Sequence, residues 1–239
     1  ISAEEDEDLC AKLQSIEDCV ESGSQLTKQL LGFARGGKYV VKPIDPNQLV
    51  RASIDLFSRT HRELKMHGNF VKEVWTIEAD QGQLEQVLMN LYLNAQQAMT
   101  RGGDIYVKTD NLELAEKAAQ PHGAPPGRYV CISIADTGTG MDKETQQRIF
   151  EPFFTTKEIG RGTGLGLASV FGIVKNHNGF VTVESTVGNG STFEIYLPAT
   201  DKRVDDGIQP VGNIVPGDET ILLVDDEDYI LEVGRLMLE

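Results

Sequence analysis

The chain has 239 residues, 40% hydrophobic and 25% charged, the balance of a globular protein with room for one ordinary domain and smaller flanking pieces. Its formal net charge of −15 is concentrated in part at residues 4–8 and 225–228, which argues against a nucleic-acid partner, since such a surface needs basic groups to displace counterions. No apolar run is long enough to cross a bilayer and no cationic segment leads into an apolar one, while Cys10, Cys19 and Cys131 lack metal-ligand spacing and read as buried free thiols in a reducing cytoplasm.

Apolar residues at Leu9, Leu13, Ile16, Val20, Leu26, Leu30 and Phe33 follow helical steps of three and four along one narrow stripe. Ser2 and the acids that follow suit the start of that helix, and Gly36-Gly37 its end. A seam of this kind fits either a helix bundle or a surface helix lying on a core. From Pro43 the pattern changes. Residues 47–59 read as a short helix, 69–77 as a strand and 80–100 as a strong amphipathic helix, opened by Asp80 and Gln83 as a capping pair. Residues 105–112 and 129–135 alternate like strands around a loop rich in Pro and Gly. A glycine- and threonine-rich stretch, 137–164, precedes a helix over 165–177 and a hairpin of 180–184 with 191–197. This order fits an α+β fold, a two-layer α/β sandwich with a mixed sheet on one side and helices on the other. Residues 199–218 form a polar linker, and 219–239 an apolar strand ending in acids followed by a short helix, too small to own a core.

Four short segments carry chemistry. Asn90 and Asn94 stand one turn apart on the amphipathic helix, so their carboxamides share a face and can offer oxygens to a hard cation and nitrogens to phosphate oxygens. Two asparagines on a helix equally suit a solvated face. Asp136 ends an apolar strand and opens Asp-Thr-Gly-Thr-Gly-Met; a carboxylate fixed there can accept from an exocyclic amine, and Gly138 and Gly140 let the backbone approach a flat ring. Asp and Gly also make plain turns. In Ile149-Phe150-Glu151-Pro152-Phe153-Phe154-Thr155-Thr156-Lys157 the three phenylalanines read as a packed anchor for a mobile segment, with Lys157 in reach of a phosphate. The glycines of Gly160-Arg161-Gly162-Thr163-Gly164-Leu165-Gly166-Leu167 run into a helix N-terminus, a place for polyphosphate. No Walker lysine follows, and no dinucleotide-binding unit stands here.

In this order and spacing, LEQVLMNLYLNAQQAM, DTGTGM, IFEPFFTTK and GRGTGLGLASV resemble the N, G1, F and G2 boxes of the histidine-kinase catalytic domain, a Bergerat-type ATP-binding fold of the GHKL superfamily, over residues 80–197. The resemblance implies ATP and Mg2+ as ligands. It implies that Asn90 and Asn94 hold the magnesium triphosphate, Asp136 reads adenine and residues 151–163 form an ATP lid. It places Gly138, Gly140, Thr155, Thr156, Lys157, Gly162, Thr163, Gly164, Leu165 and Gly166 around the nucleotide. Residues 1–37 resemble the second helix of a dimerisation and phospho-acceptor hairpin, 43–198 the catalytic domain, 199–218 a linker, and 219–239 the start of a truncated receiver with Asp225 and Asp226 as its magnesium pair. The implied parent is a cytoplasmic or membrane-anchored hybrid kinase, a homodimer serving a response-regulator receiver.

One departure qualifies that expectation, and one residue weighs against its main rival. No acceptor histidine stands in the hairpin segment, and His61, His67, His122 and His177 read as ordinary surface or loop histidines, so the chain is expected to bind ATP without an acceptor of its own. The superfamily's ATPases place a water-activating glutamate one turn before the metal-binding asparagine, where this chain has Asn90; that favours a kinase over a hydrolase. A serine kinase directed at anti-sigma partners, a type that lacks the acceptor-hairpin helix and the receiver tail, and a dimeric, nucleotide-sensing scaffold are the remaining alternatives.

Overall fold

The computed structural model describes residues 40–100, 102–157 and 163–204. The helix expected over 1–37, residues 205–218 of the linker, the segment 219–239 with Asp225 and Asp226, and residues 158–162 with Gly162 lie outside the described residues.

The chain enters through β1 (Lys42–Ile44) and turns at Asp45, whose carboxylate accepts from the amides of Asn47 and Gln48 and caps α1 (Pro46–Thr60), with proline at its first position. Then follow β2 (Leu64–Phe70), β3 (Thr76–Ala79), α2 (Gln81–Ala98), β4 (Gly103–Leu114) and α3 (Glu116–Ala119) with a single 3-10 turn over Gln120–His122. The rest is β5 (Gly127–Asp136), α4 (Lys143–Arg148), α5 (Gly166–Asn176), β6 (Phe180–Ser185) and β7 (Ser191–Thr200).

The strands form one sheet in the order β1-β3-β7-β5-β4-β2, with β6 also running along β7. The β2–β4 pairing is parallel and the others are antiparallel, so the sheet is mixed as expected. Alternation decides its faces. Ile105 and Val107 of β4, Val130, Ile132 and Ile134 of β5, and Phe193, Ile195 and Leu197 of β7 share one buried cluster with Leu84, Val87, Leu88 and Leu91 of α2 and Val170 and Val174 of α5. That cluster is the core between the two layers. On the other face the 3-10 turn lies over the sheet: His122 stacks on Phe180 at 4.5 Å and Phe180 on Tyr196 at 4.4 Å. Cys131 sits in that face, buried, and burial pushes its thiol up to about 12, the state of an inert small hydrophobe. No helix among the described residues is long and apolar enough to cross a membrane.

Three expectations need correction. Residues 69–77 are not one strand but the end of β2 and the start of β3, which lie on opposite sides of the sheet's middle strands. The link between them crosses the strand ends: the Val71 amide donates to Thr109 O, the Trp75 amide to Asn111 Oδ1, and Arg128 lies over the Trp75 ring. The glycine-rich stretch 137–164 contains a helix, α4, because the Asp142 carboxylate accepts from the Thr145 amide and starts one. The capping pair is only half formed. Asp80 Oδ1 accepts from the Gln83 amide, but the return bond from Gln83 is absent, and Asp80 N donates instead to His177 Nε2.

Candidate functional site

The site is assembled at one end of the sandwich, where the C-terminal half of α2, the loop after β5 and the start of α5 converge. Leu84, Val87, Leu88, Leu91 and Ala95 turn the buried face of α2 to the core, which leaves Asn90 and Asn94 half-buried at its margin. Asn90 Nδ2 donates to the carbonyl of Gly166 at 3.3 Å, the first residue of α5. A Cβ placed on Gly166 would stand 3.8 Å from Asn94 Nδ2 and 3.9 Å from Asn90 Oδ1, so both carboxamides line up against the start of that helix. Asn90 spends its nitrogen on Gly166 and keeps its oxygen as an acceptor.

The start of α5 is open. Leu165 occupies its N-cap and supplies no side-chain cap, so the first-turn amides lack that partner. Thr163 Oγ1 accepts from the Leu165 amide, which shapes the entry turn. Gly164 has φ +64°, a left-handed conformation, and a Cβ there would press on the Phe153 backbone, 2.7 Å from its Cα. The Gly164 carbonyl accepts from the Phe153 amide at 2.9 Å, so the third and fourth segments are joined through their backbones. Phe153 departs from expectation. Its φ is +67° and its side chain is 71% exposed, whereas Phe150 and Phe154 do pack against the core. Lys157 Nζ donates to Gln97 Oε1, one turn beyond Asn94 on α2, and partial burial holds its ammonium below the usual lysine range. Thr155 Oγ1 accepts from the Lys157 amide, and Thr156 is exposed beside it.

Asp136 closes the other side. It is the last residue of β5, 9% exposed, and its Oδ1 accepts from the Gly138 amide at 2.8 Å. Burial raises its pKa above the ordinary carboxylate value, and the amides of Gly138 and Ser191 act against that rise. A Cβ on Gly138 would stand 2.7 Å from Ala98 Cβ and 2.7 Å from Asp136 Oδ1, so only glycine keeps the carboxylate accessible there. The Thr139 amide donates to Ala98 O, which fastens this loop to the helix that carries the two asparagines. Gly140, at φ +64°, passes against Thr186 O, where a side chain would overlap. Gln146 of α4 holds the loop from outside, its Nε2 donating to Met141 O and Ser185 O. Neither Gln97 nor Gln146 gives any signal in sequence, because each works through a partner at least 39 positions away, Lys157 and Ser185 respectively.

One end of the sandwich therefore offers two carboxamides facing an uncapped helix start, and across from them a buried acceptor beneath a glycine floor. The first pair suits phosphate oxygens with a hard cation, and the second a flat ring bearing an amine. Residues 79–201 match the family of histidine kinase-, DNA gyrase B- and HSP90-like ATPases. The chain belongs to that family. Sensor kinase CckA of Brucella abortus is 38% identical over 241 residues, covering 95% of this chain and 25% of that protein. The crystal structure of full-length ShkA in complex with AMPPNP is similar at 30% identity and a TM-score of 0.61, over 85% of this chain and 41% of that one. Histidine kinase ThkA in complex with response regulator TrrA shares the fold, with a TM-score of 0.62 at 24% identity over 82% of this chain and 53% of that one. Within the family, the segment is an ATP-binding catalytic domain of the sensor-histidine-kinase type. The chain spans a quarter of CckA and between 20% and 37% of seven other curated relatives that it matches.

Proposed function

We propose that the chain carries the catalytic core of a two-component sensor histidine kinase, which binds MgATP and delivers the γ-phosphoryl group to a histidine outside this sequence, for relay to an aspartate of a response regulator. The observation that carries the reading is the group at position 90. A hydrolase of this superfamily needs a carboxylate there to take a proton from water, and Asn90 cannot do so. The single acid on α2 is Glu85, exposed and bound to Gln81 at the far end from Gly166.

The residues present fit the ligand. The buried Asp136 carboxylate, under a position that admits no side chain, is an acceptor for the adenine amine, with Gly138 and Gly140 as the floor. Gly164 and Gly166 supply backbone amides to the phosphates, with Leu165, its amide held by Thr163 Oγ1, shaping the turn between them and Thr155, Thr156 and Lys157 on the lid side; Gly162 belongs with them by resemblance. Among the described residues no group of three or more His, Cys, Asp or Glu could hold a metal. Magnesium would instead rest on the oxygens of Asn90 and Asn94 together with phosphate oxygens, the arrangement this cation favours. When bound, it would neutralise charge on the phosphates. The chain's part in transfer is positioning: the acceptor nitrogen bonds to phosphorus as the bridging oxygen leaves with ADP. A homodimer through residues 1–37, a receiver beginning at 219–239 with Asp225 and Asp226 as its acidic pair, a cytoplasmic setting and the absence of a nucleic-acid partner belong to the same reading.

Calorimetry tests it. The chain is expected to bind MgATP with micromolar affinity, roughly −7 to −8 kcal/mol, and Asn94→Ala to weaken binding in magnesium but little in EDTA. Steady release of phosphate from ATP by the chain alone, without any acceptor, would establish a hydrolase and sink the proposal.

A further inference from the structure

Resting on that reading, we infer that His177 is a positioning residue of the nucleotide site, acting from the far end of the two helices that frame it. The helices α2 and α5 lie side by side and antiparallel. At one end Asn90 Nδ2 meets Gly166 O at 3.3 Å, and at the other the Asp80 amide meets His177 Nε2 at 3.0 Å. Along α2 the two contacts are about 15 Å apart and along α5 about 16 Å, at 1.5 Å per residue. The spans match, so both ends close in a single axial register.

The imidazole is held in one protonation pattern. A backbone amide only donates, so Nε2 presents its lone pair to Asp80 N. Nδ1 then carries the proton and donates to Ile173 O at 2.8 Å. His177 is 5% exposed, and the chain turns sharply behind it through Asn178 at φ +57° and Gly179, which admits no side chain against Tyr196 O. His177 is therefore not the ordinary surface or loop histidine expected from sequence.

The alternative partner for Asp80 N was local. In a capping box the N3 side chain, here Gln83, reaches back to the N-cap amide. Gln83 Oε1 is instead buried without a partner, and the amide is committed to a histidine 97 residues away. A local box would stabilise α2 equally well. What the long-range bond adds is the placement of α2 relative to α5. That placement sets how far the Asn90 and Asn94 carboxamides stand from the open amides of α5. A slip of one residue is about 1.5 Å, wider than the range within which a hydrogen bond survives.

The test compares two variants of the full chain. His177→Gln keeps a carbonyl oxygen able to accept from Asp80 N, whereas His177→Leu fills the space without an acceptor. Affinity for Mg-AMPPNP by calorimetry is expected to fall about tenfold in His177→Leu and to stay within about threefold of wild type in His177→Gln. Losses from His177→Leu and Asn90→Ala should be less than additive, because both act through the same placement. A lowered melting temperature in His177→Leu with unchanged affinity overturns the inference and leaves a packing histidine. Should the leucine variant not fold, the 15N resonances of the wild-type imidazole decide: a proton on Nδ1 and an Asp80 amide that shifts on adding Mg-AMPPNP support the clip, and a proton on Nε2 ends it. Wild-type chain that binds no Mg-AMPPNP would overturn the functional reading itself, an outcome distinct from all of these.

Discussion

Two influences oppose each other at the Asp136 carboxylate: burial at the strand end raises its pKa, and the amides of Gly138 and Ser191 lower it, with burial prevailing. The folded chain therefore holds this proton more tightly than the unfolded one. For this group stability falls as pH rises from the ordinary value of 3.8 to the raised folded value, and is flat above it. Under the proposed function, base recognition has the opposite sign, since the ionised form is the stronger acceptor for adenine's amine and the protonated form adds an O–H donor. Asp136→Ala is expected to erase the preference for ATP over GTP, and Asp136→Asn, which offers an N–H donor, to move it toward GTP; calorimetry with both nucleotides reads this. The same selectivity in all three proteins would remove Asp136 from the base pocket. The place of Asp136 at a strand end was legible because the apolar alternation of 129–135 runs straight into it, whereas the role proposed for it comes from the resemblance of the four segments together. His177 was not, because nothing in a local pattern announces a partner 97 residues away. Phe153 misled for a related reason: an aromatic residue between two packed ones reads as packed, and only its φ of +67° turns it outward.

Among the elements, α2 matters most, since it carries both asparagines and bounds the core. Asp80 serves it in two separable ways, its side chain capping Gln83 N and its backbone amide binding His177. Asp80→Ala deletes the first and leaves the second. It is expected to lower unfolding stability by about 1 kcal/mol in urea titration while Mg-AMPPNP affinity stays near wild type. A large loss of affinity at unchanged stability would mean the carboxylate itself shapes the site. Elements with a long apolar stripe or strict alternation, such as α2, β4, β5 and β7, were readable to within a few residues, since burial imposes the period. Those that failed lack that imprint. With only three residues β1 is too short to show a period, and α4 buries no side chain at all. The break between β2 and β3 is made by distant partners, Thr109 and Asn111, that a local window does not contain.

For the whole molecule, the two layers follow from the succession of strands and helices, but the strand order does not: the parallel β2–β4 pair and the pairing of β3 with the far end of β7 depend on contacts across the sheet. That assembly bears on the fate of the phosphoryl group. All four histidines of the chain are described, and each is engaged elsewhere. His61 stacks on Phe57 at 4.1 Å, with Nδ1 beside Thr60 Oγ1. His67 stacks on Tyr106 and lies 2.6 Å from the Oδ1 of Asp104, whose amide donates to Thr137 Oγ1. His122 lies flat on Phe180, and both ring nitrogens of His177 meet backbone groups. Transfer requires the acceptor nitrogen in line with the γ-phosphorus at near-contact distance, which none of these placements provides. Incubation of the chain with labelled ATP should therefore give no phosphohistidine. Adding a separate dimerisation hairpin that bears a histidine should give label on the hairpin, because the chain's sequence carries all four segments of the proposed nucleotide site. Acid-labile, base-stable label on the chain alone would show that one of the four is an acceptor after all, and mapping the labelled peptide would say which.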